Sequence, residues 1–193
     1  MGLSIAMKIN FPLLALAVGA FAIGTTEFSP MGFLPEIAND LSVSIPQAGL
    51  LISAYAVGVM IGAPLMTLWL ARFPKKTALI LLMAIFTIGN VLATVAPDYM
   101  SLMGARLITS LNHGAFFGLG SVVAASVVPK DKQASAVAMM FMGLTIANIG
   151  GVPLATWLSQ NTSWRMAFAA ISILGIMTIL GTMESTPTRS RCG

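Results

Sequence analysis

AGLLISAYAVGVMIGAPLMTLWLA, residues 48–71, contains no charged side chain and completes a 31-residue uncharged run between Asp40 and Arg72. An apolar stretch of about 20 residues crosses the hydrocarbon core as a helix, because a helix satisfies its backbone N–H and C=O groups without water. Working outward, five further runs meet the same test. Lys8–Glu27 encloses 18 uncharged residues, Lys76–Asp98 encloses 21, Arg106–Lys130 encloses 23, Lys132–Arg165 encloses 32 and Arg165–Glu184 encloses 18. These runs predict helices near 11–33, 47–69, 77–96, 101–128, 134–158 and 166–183. Residues 1–184 thus read as one all-α integral membrane bundle of six transmembrane helices. Residues 185–193, STPTRSRCG, read as a short cytoplasmic tail.

Composition excludes the other classes. Of 193 residues, 57% are apolar and 8% charged, whereas a soluble domain carries about 25% charged residues. Disorder requires low hydrophobicity with high charge. Turn chemistry falls between the runs, at Pro35, Asn39, Asp40 and Pro46, at Pro74, at Pro97 and Asp98, from Pro129 to Lys132, and from Ser159 to Ser163. The single cysteine, Cys192, provides neither a disulfide framework nor a metal cluster. A lone histidine, His113, argues against nucleophile-and-base hydrolysis. No G-x-x-x-x-G-K-[ST] loop is present, so ATP is not handled and any pumping draws on a gradient. No cofactor and no metal are expected.

Sorted by loop, Lys8, Arg72, Lys75, Lys76, Lys130, Lys132, Arg189 and Arg191 fall on one side and Arg165 alone on the other, with Glu36, Asp40 and Asp98. The positive-inside rule then places both termini in the cytoplasm. The basic balance reports topology and gives no support to nucleic-acid binding. Ala20 and Ala22 imitate a signal-peptidase site, but the apolar run continues past them.

Charged groups at bilayer depth are rare and face a bundle interior or a water-filled cavity. Two stand out, Glu27 and Arg106. Counting about 1.5 Å per residue puts Glu27 about 9 Å and Arg106 about 7 to 8 Å below the outer boundary, so an ion pair is geometrically possible if the first and fourth helices are neighbours. Seven residues beyond Arg106 lies His113, close to the midplane, and Arg106, Ser110, His113 and Phe117 share one helical face. A histidine there either carries a proton near neutral pH or serves as a neutral packing group. The fifth span holds Gly143, Ala147, Gly151 and Ala155 at four-residue spacing, with Pro153 and the amide Asn148. The second repeats this with Ala54, Gly58, Gly62 and Pro64; such ladders let helices approach closely. Met139, Met140 and Met142 are candidates to line an adaptable apolar site. The spans divide as three plus three, the first of each triplet carrying intramembrane charge, a pattern of inverted repeats in secondary transporters.

Five segments in order carry a family resemblance: IGTTEFSPMGFLPEIANDL (23–41), WLARFPKK (69–76), ARLITSLNHGAFFGLGS (105–121), GLTIANIGGVPLAT (143–156) and SWRMAF (163–168). Together they resemble the N-terminal half of major facilitator superfamily transporters, in particular bacterial drug/proton antiporters and arabinose-efflux-type proteins. The resemblance implies a proton-linked role for Arg106, an antiporter motif at Gly143, Gly151 and Pro153, and a cytoplasmic loop signature at Arg72, Lys75 and Lys76. Ala71 stands where that signature usually has aspartate, Pro74 where it has glycine, and Ala155 where the antiporter motif often has glycine. The family normally has twelve helices, and six are present. The expectation is an inner-membrane, proton-coupled efflux antiporter for small amphipathic or cationic compounds, antibiotics included, in which Glu27, Arg106, His113 and Asn148 bind proton or substrate. It is expected to work as a parallel homodimer; sugar efflux and a non-transporting half of a longer transporter are the alternatives.

Overall fold

The computed structural model describes residues 10–185, all in helices and short connections, with no strand among them. Lys8, Arg189, Arg191, Cys192 and the rest of the expected tail beyond Ser185 lie outside the described residues. Within the described residues there are nine α-helices, and all but the short α2 make up six spans. The first is α1, Phe11–Gly32, followed by a short α2, Leu34–Asp40. The second and third are α3, Ile45–Leu70, and α4, Lys75–Thr94. The fourth is divided into α5, Tyr99–Ser110, and α6, His113–Ser126. The fifth is α7, Gln133–Ile146, joined through a wide π turn at Ala147–Gly151 to α8, Val152–Asn161. The sixth is α9, Trp164–Ser185.

Local chemistry sets these boundaries. Prolines occupy the first turns of α1, α2 and α3, where the missing N–H would have no intrahelical partner. Ser44 caps α3 by accepting from the Gln47 N–H at 3.3 Å, and Asp98 caps α5 by accepting from the Ser101 N–H at 2.9 Å. Three expectations need correction. The first connection is itself helical, because Pro35 starts α2 instead of breaking the chain. The last turn signal shrinks to Thr162 and Ser163, since α8 runs on to Asn161. The fourth and fifth spans are not continuous α-helices. Pro153 has no N–H for the Ile149 carbonyl, and the π turn over Ala147–Gly151 absorbs that defect. Thr109 and Ser110 bond back to the Ala105 and Leu107 carbonyls just before the break at Leu111 and Asn112; such bonds compete with the helix ladder.

The spans pack in a pseudo-symmetric order. α1 lies against α7, α8 and α9, α5 and α6 lie against α3, α5 also lies against α4, and α4 lies along α9. Exchanging first with fourth, second with fifth and third with sixth maps this pairing onto itself. The small-residue ladders form the closest seams. Gly143, Ala147, Gly151 and Ala155 are all buried, and a methyl at Gly143 would meet the Ala17 carbonyl oxygen of α1. At the equivalent seam, a Cβ on Gly62 would lie 2.8 Å from the Leu111 Cα. Because the obstacle at Gly143 is backbone, Gly143→Leu forces α1 and α7 apart. We expect it to destabilise the bundle by about 1–3 kcal/mol, read as a lowered midpoint of unfolding in detergent.

Away from the basic loops, a clasp ties three spans together. Arg165 forms an ion pair with Asp40 and donates from Nη2 to the Ala96 carbonyl at 2.9 Å. Trp164 Nε1 donates to the same Asp40 oxygen at 3.0 Å, and the Arg165 guanidinium lies 4.1 Å from the Trp164 ring centroid. The hydrogen bond from Arg165 holds the Asp40 carboxyl below its ordinary value of 3.8, against a smaller upward push from burial. With the folded value depressed, the stabilisation is complete above the unfolded value and disappears as pH falls through the folded one. Asp40→Asn should therefore lower stability at neutral pH by less than about 1 kcal/mol, since the pair is exposed to solvent. The difference from the parent should vanish in acid below the ordinary carboxylate range, which pH-dependent unfolding followed by tryptophan fluorescence would show.

Candidate functional site

Polar groups converge inside the bundle where α1, α3, α4, α5 and α6 meet. Arg106, on α5, is 1% exposed. Its Nη1 donates to the Thr26 carbonyl of α1 at 2.9 Å and lies 3.4 Å from the Thr26 hydroxyl oxygen. The availability of that carbonyl follows from sequence. Pro30, four residues on, has no N–H to offer it, so the helix leaves the Thr26 oxygen open. The guanidinium also lies 4.2 Å from the ring centroid of Tyr55 on α3. The Thr26 hydroxyl in turn donates to the Asn90 Oδ1 of α4 at 2.6 Å. Arg106 Nε and Nη2 have no hydrogen-bond partner among the described residues.

Beside this layer lies the lone histidine. His113 Nδ1 is 3.2 Å from the Tyr55 hydroxyl, and Nε2 is 3.6 Å from Glu27 Oε2. The side chains of His113 and Glu27 are 14% and 27% exposed, so the pair sits at the edge of the interior. Phe117 lies 5.2 Å from the imidazole and stacks on Phe141 of α7.

This arrangement changes the expected pairing. Glu27 meets His113, and Arg106 meets a carbonyl and an aromatic face; no ion pair joins Glu27 to Arg106 among the described residues. The depth arithmetic counted Cα positions alone. Cα–Cβ bonds tilt toward a helix N-terminus. α1 and α5 run antiparallel, so the Glu27 side chain leans toward His113 and that of Arg106 leans the other way. Of the proposed stripe, Arg106, His113 and Phe117 join the cluster, while Ser110 packs against Gly58 of α3. Asn148 stands apart. It is exposed and donates to the Leu144 carbonyl of its own span at 3.0 Å. Arg106 is buried within the six-helix unit and needs no second copy to cover it.

The basic loop is built around aromatic support. Arg72 donates to the Trp69 carbonyl at 2.9 Å and lies 5.7 and 5.9 Å from the Trp69 and Phe73 rings. Lys76 donates to the Met183 carbonyl at 2.6 Å, joining α4 to the end of α9, and Lys75 is exposed. A lateral groove of about 700 Å³ opens between α1 and α7, lined by Phe21, Met139, Met142 and Ile146, with Lys132 at its basic end. Met140 does not reach it and is buried against Gly120.

Tyr55, Thr26 and Asn90 were not anticipated. The signal was present for Tyr55, a phenol in an otherwise apolar run that must find a partner when buried. Arg165 and Asp40 were assigned to the same side, and opposite charges on one side were a signal for the clasp.

Six long apolar helices around a buried polar seam define a multi-pass membrane protein. The Major Facilitator Superfamily family model matches residues 16–191, and the chain belongs to that family. It is 70% identical over 181 residues to the inner membrane transport protein YdhP of Escherichia coli K12, covering 94% of this chain and 46% of that relative. A chloramphenicol resistance protein of Streptomyces lividans is 33% identical over 176 residues, 91% of this chain and 45% of its own length. The chain thus spans about half the length of these curated relatives. Among solved structures, a bacterial homologue of the human lysosomal transporter Spinster superposes with a TM-score of 0.79 at 19% identity, covering 96% of this chain and 45% of that one. That likeness confirms the fold.

Proposed function

We propose that this six-helix body is the working half of a proton-coupled efflux antiporter for small amphipathic or cationic compounds, antibiotics among them. The observation that carries the reading is the Glu27–His113 pair, two titratable groups 3.6 Å apart at the edge of the interior, beside a fully buried Arg106. Such groups inside a membrane bundle mark ion and substrate pathways. The fixed guanidinium favours the ionised carboxylate, while removal from water favours the neutral acid. A change in water access then moves a proton on or off Glu27, and a cationic substrate competes for the same carboxylate. The apolar groove with Met139 and Met142 supplies an adaptable surface for the rest of such a molecule.

Alternating access requires a second body against which this one rocks. A second copy, parallel and related by an axis along the membrane normal, supplies it and keeps all termini cytoplasmic. Glu27 and His113 would then edge a shared cavity, with exposed apolar residues of α3 and α7 against the partner. Asn148, facing outward from its own span, is available to that cavity.

Everted vesicles containing the chain test the reading. With the lumen acidified, adding a lipophilic cation should collapse the pH gradient faster than in vesicles lacking the chain, and cells producing it should tolerate the compound better. Neither effect, with the protein folded in the membrane, would establish the non-transporting half. Cysteines on the exposed faces of α3 and α7 should crosslink between copies; an active monomer would refute the dimer.

A further inference from the structure

We propose that Tyr55 sets the tautomer of His113, its hydroxyl donating to Nδ1 so that the neutral imidazole carries its own hydrogen on Nε2, facing Glu27. The inference rests on the proton-site reading above and names Tyr55 as a positioning residue within it.

A neutral imidazole has one donor and one acceptor nitrogen, and the hydrogen bond at one nitrogen decides which form the other takes. Tyr55 is 3% exposed, so its hydroxyl cannot turn to bulk water. The partner within reach is His113 Nδ1 at 3.2 Å. A buried hydroxyl hydrogen without an acceptor is unfavourable, so it points at Nδ1, which must then be bare. The other nitrogen gives the same answer. Nε2 lies 3.6 Å from a carboxylate oxygen, an acceptor-only group when ionised. A bare Nε2 would set a lone pair against that oxygen, whereas Nε2–H is attracted to it.

The charged and titratable groups facing the imidazole come from three elements: Glu27 of α1, Tyr55 of α3 and, across the Tyr55 ring, Arg106 of α5. Phe117 of α6 packs on the ring without charge. Arg106 fixes the phenol from its face, 4.2 Å from the centroid, and the ring meets the imidazole edge-on at 81°. The hydroxyl is therefore held in register with Nδ1 by a contact that does not involve the hydroxyl. The consequence is a site of fixed polarity: Nε2–H is presented to Glu27 as a donor, and a proton added to the imidazole must enter at Nδ1, where it displaces the Tyr55 hydroxyl hydrogen.

His113 is the only histidine in the chain, so nitrogen NMR of the histidine-labelled protein in lipid nanodiscs reads one imidazole. In its neutral range, Nδ1 should resonate as a bare, hydrogen-bonded nitrogen and Nε2 as N–H. Tyr55→Phe retains the ring under Arg106 and removes only the hydroxyl. Glu27→Gln takes away the competing anionic pull on Nε2 and should retain the Nε2–H form. Adding Tyr55→Phe in that background should lower the tautomer ratio about tenfold, the scale of one net hydrogen bond. An Nδ1–H tautomer in the parent protein would overturn the proposal without any variant. So would an equal ratio with and without the hydroxyl in the Glu27→Gln background. A Glu27→Gln protein that still couples export to protons would instead overturn the proton-site reading and leave the tautomer assignment standing.

Discussion

Glu27→Gln should abolish uphill export while downhill movement of the same compound persists. Glutamine keeps the shape of the side chain and its ability to approach His113, but it cannot ionise. The 27% exposure of Glu27 allows it to exchange with water, and the 3.6 Å contact with His113 places it in the interior network. A drug/proton exchange that uses this carboxylate loses its driving force when the carboxylate is gone, so accumulation against a gradient should fall by at least about a hundredfold, equivalent to about 2.7 kcal/mol of lost coupling. The check is paired. Uphill uptake into energised everted vesicles is compared with counterflow of labelled compound in vesicles without a gradient. Loss of the first with retention of the second is expected. Uphill uptake with an unchanged pH dependence would remove Glu27 from coupling and shift the role to His113. If His113→Ala also left coupling intact, the whole cluster would be packing.

Arg106→Ala should be strongly destabilising, and Pro30→Ala should partly reverse it. Truncating Arg106 leaves the Thr26 carbonyl, already released by Pro30, without its donor. Such an orphan costs about 1–3 kcal/mol. The contact with the Tyr55 ring is lost as well, worth about 2 kcal/mol when desolvated. Relief of a buried charge whose Nε and Nη2 lack hydrogen-bond partners among the described residues offsets part of this, leaving an expected loss of about 2–4 kcal/mol. In the double variant, the backbone N–H that alanine supplies in place of Pro30 closes the helical bond to the Thr26 carbonyl and should restore about 1 kcal/mol or more. Unfolding of the four proteins in mixed micelles forms a double-mutant cycle. Strict additivity would show that the Thr26 carbonyl is not the group through which Arg106 holds α1.

How much of this was legible follows from which physical rule governs each feature. The six spans were legible because a charge in hydrocarbon is costly everywhere, so gaps between charges delimit helices whatever the tertiary structure. The ladder at Gly143, Ala147, Gly151 and Ala155 was legible because close backbone approach permits few residue types. The division of the fourth span was not, since no proline marks Leu111 or Asn112 and the competing hydroxyls of Thr109 and Ser110 also occur in unbroken helices. Glu27, Arg106 and His113 fall within the long apolar spans, but their partners were not legible. Partnering depends on the lean of each side chain and on which carbonyls prolines release. Tyr55 was passed over because its run was read for apolar length, and Asp40 with Arg165 because loops were read for turns and topology.

The distance along the chain between partners also fixes an order of events during synthesis. Asp40 and Arg165 are 125 residues apart; at roughly 5–20 residues per second, the ribosome needs about 6–25 s to deliver the second after the first. α1 waits comparably long, because its main neighbours, α7, α8 and α9, are made last. For more than half of that interval Glu27 has been made without His113 and Thr26 without Arg106. The nascent first helix must therefore be sheltered by the insertion machinery or lie at the membrane surface until the later spans arrive. The polar groups that serve the finished bundle are thus a burden on its biogenesis, and slowing elongation between residues 40 and 165 should prolong exposure of the nascent chain to quality-control proteases.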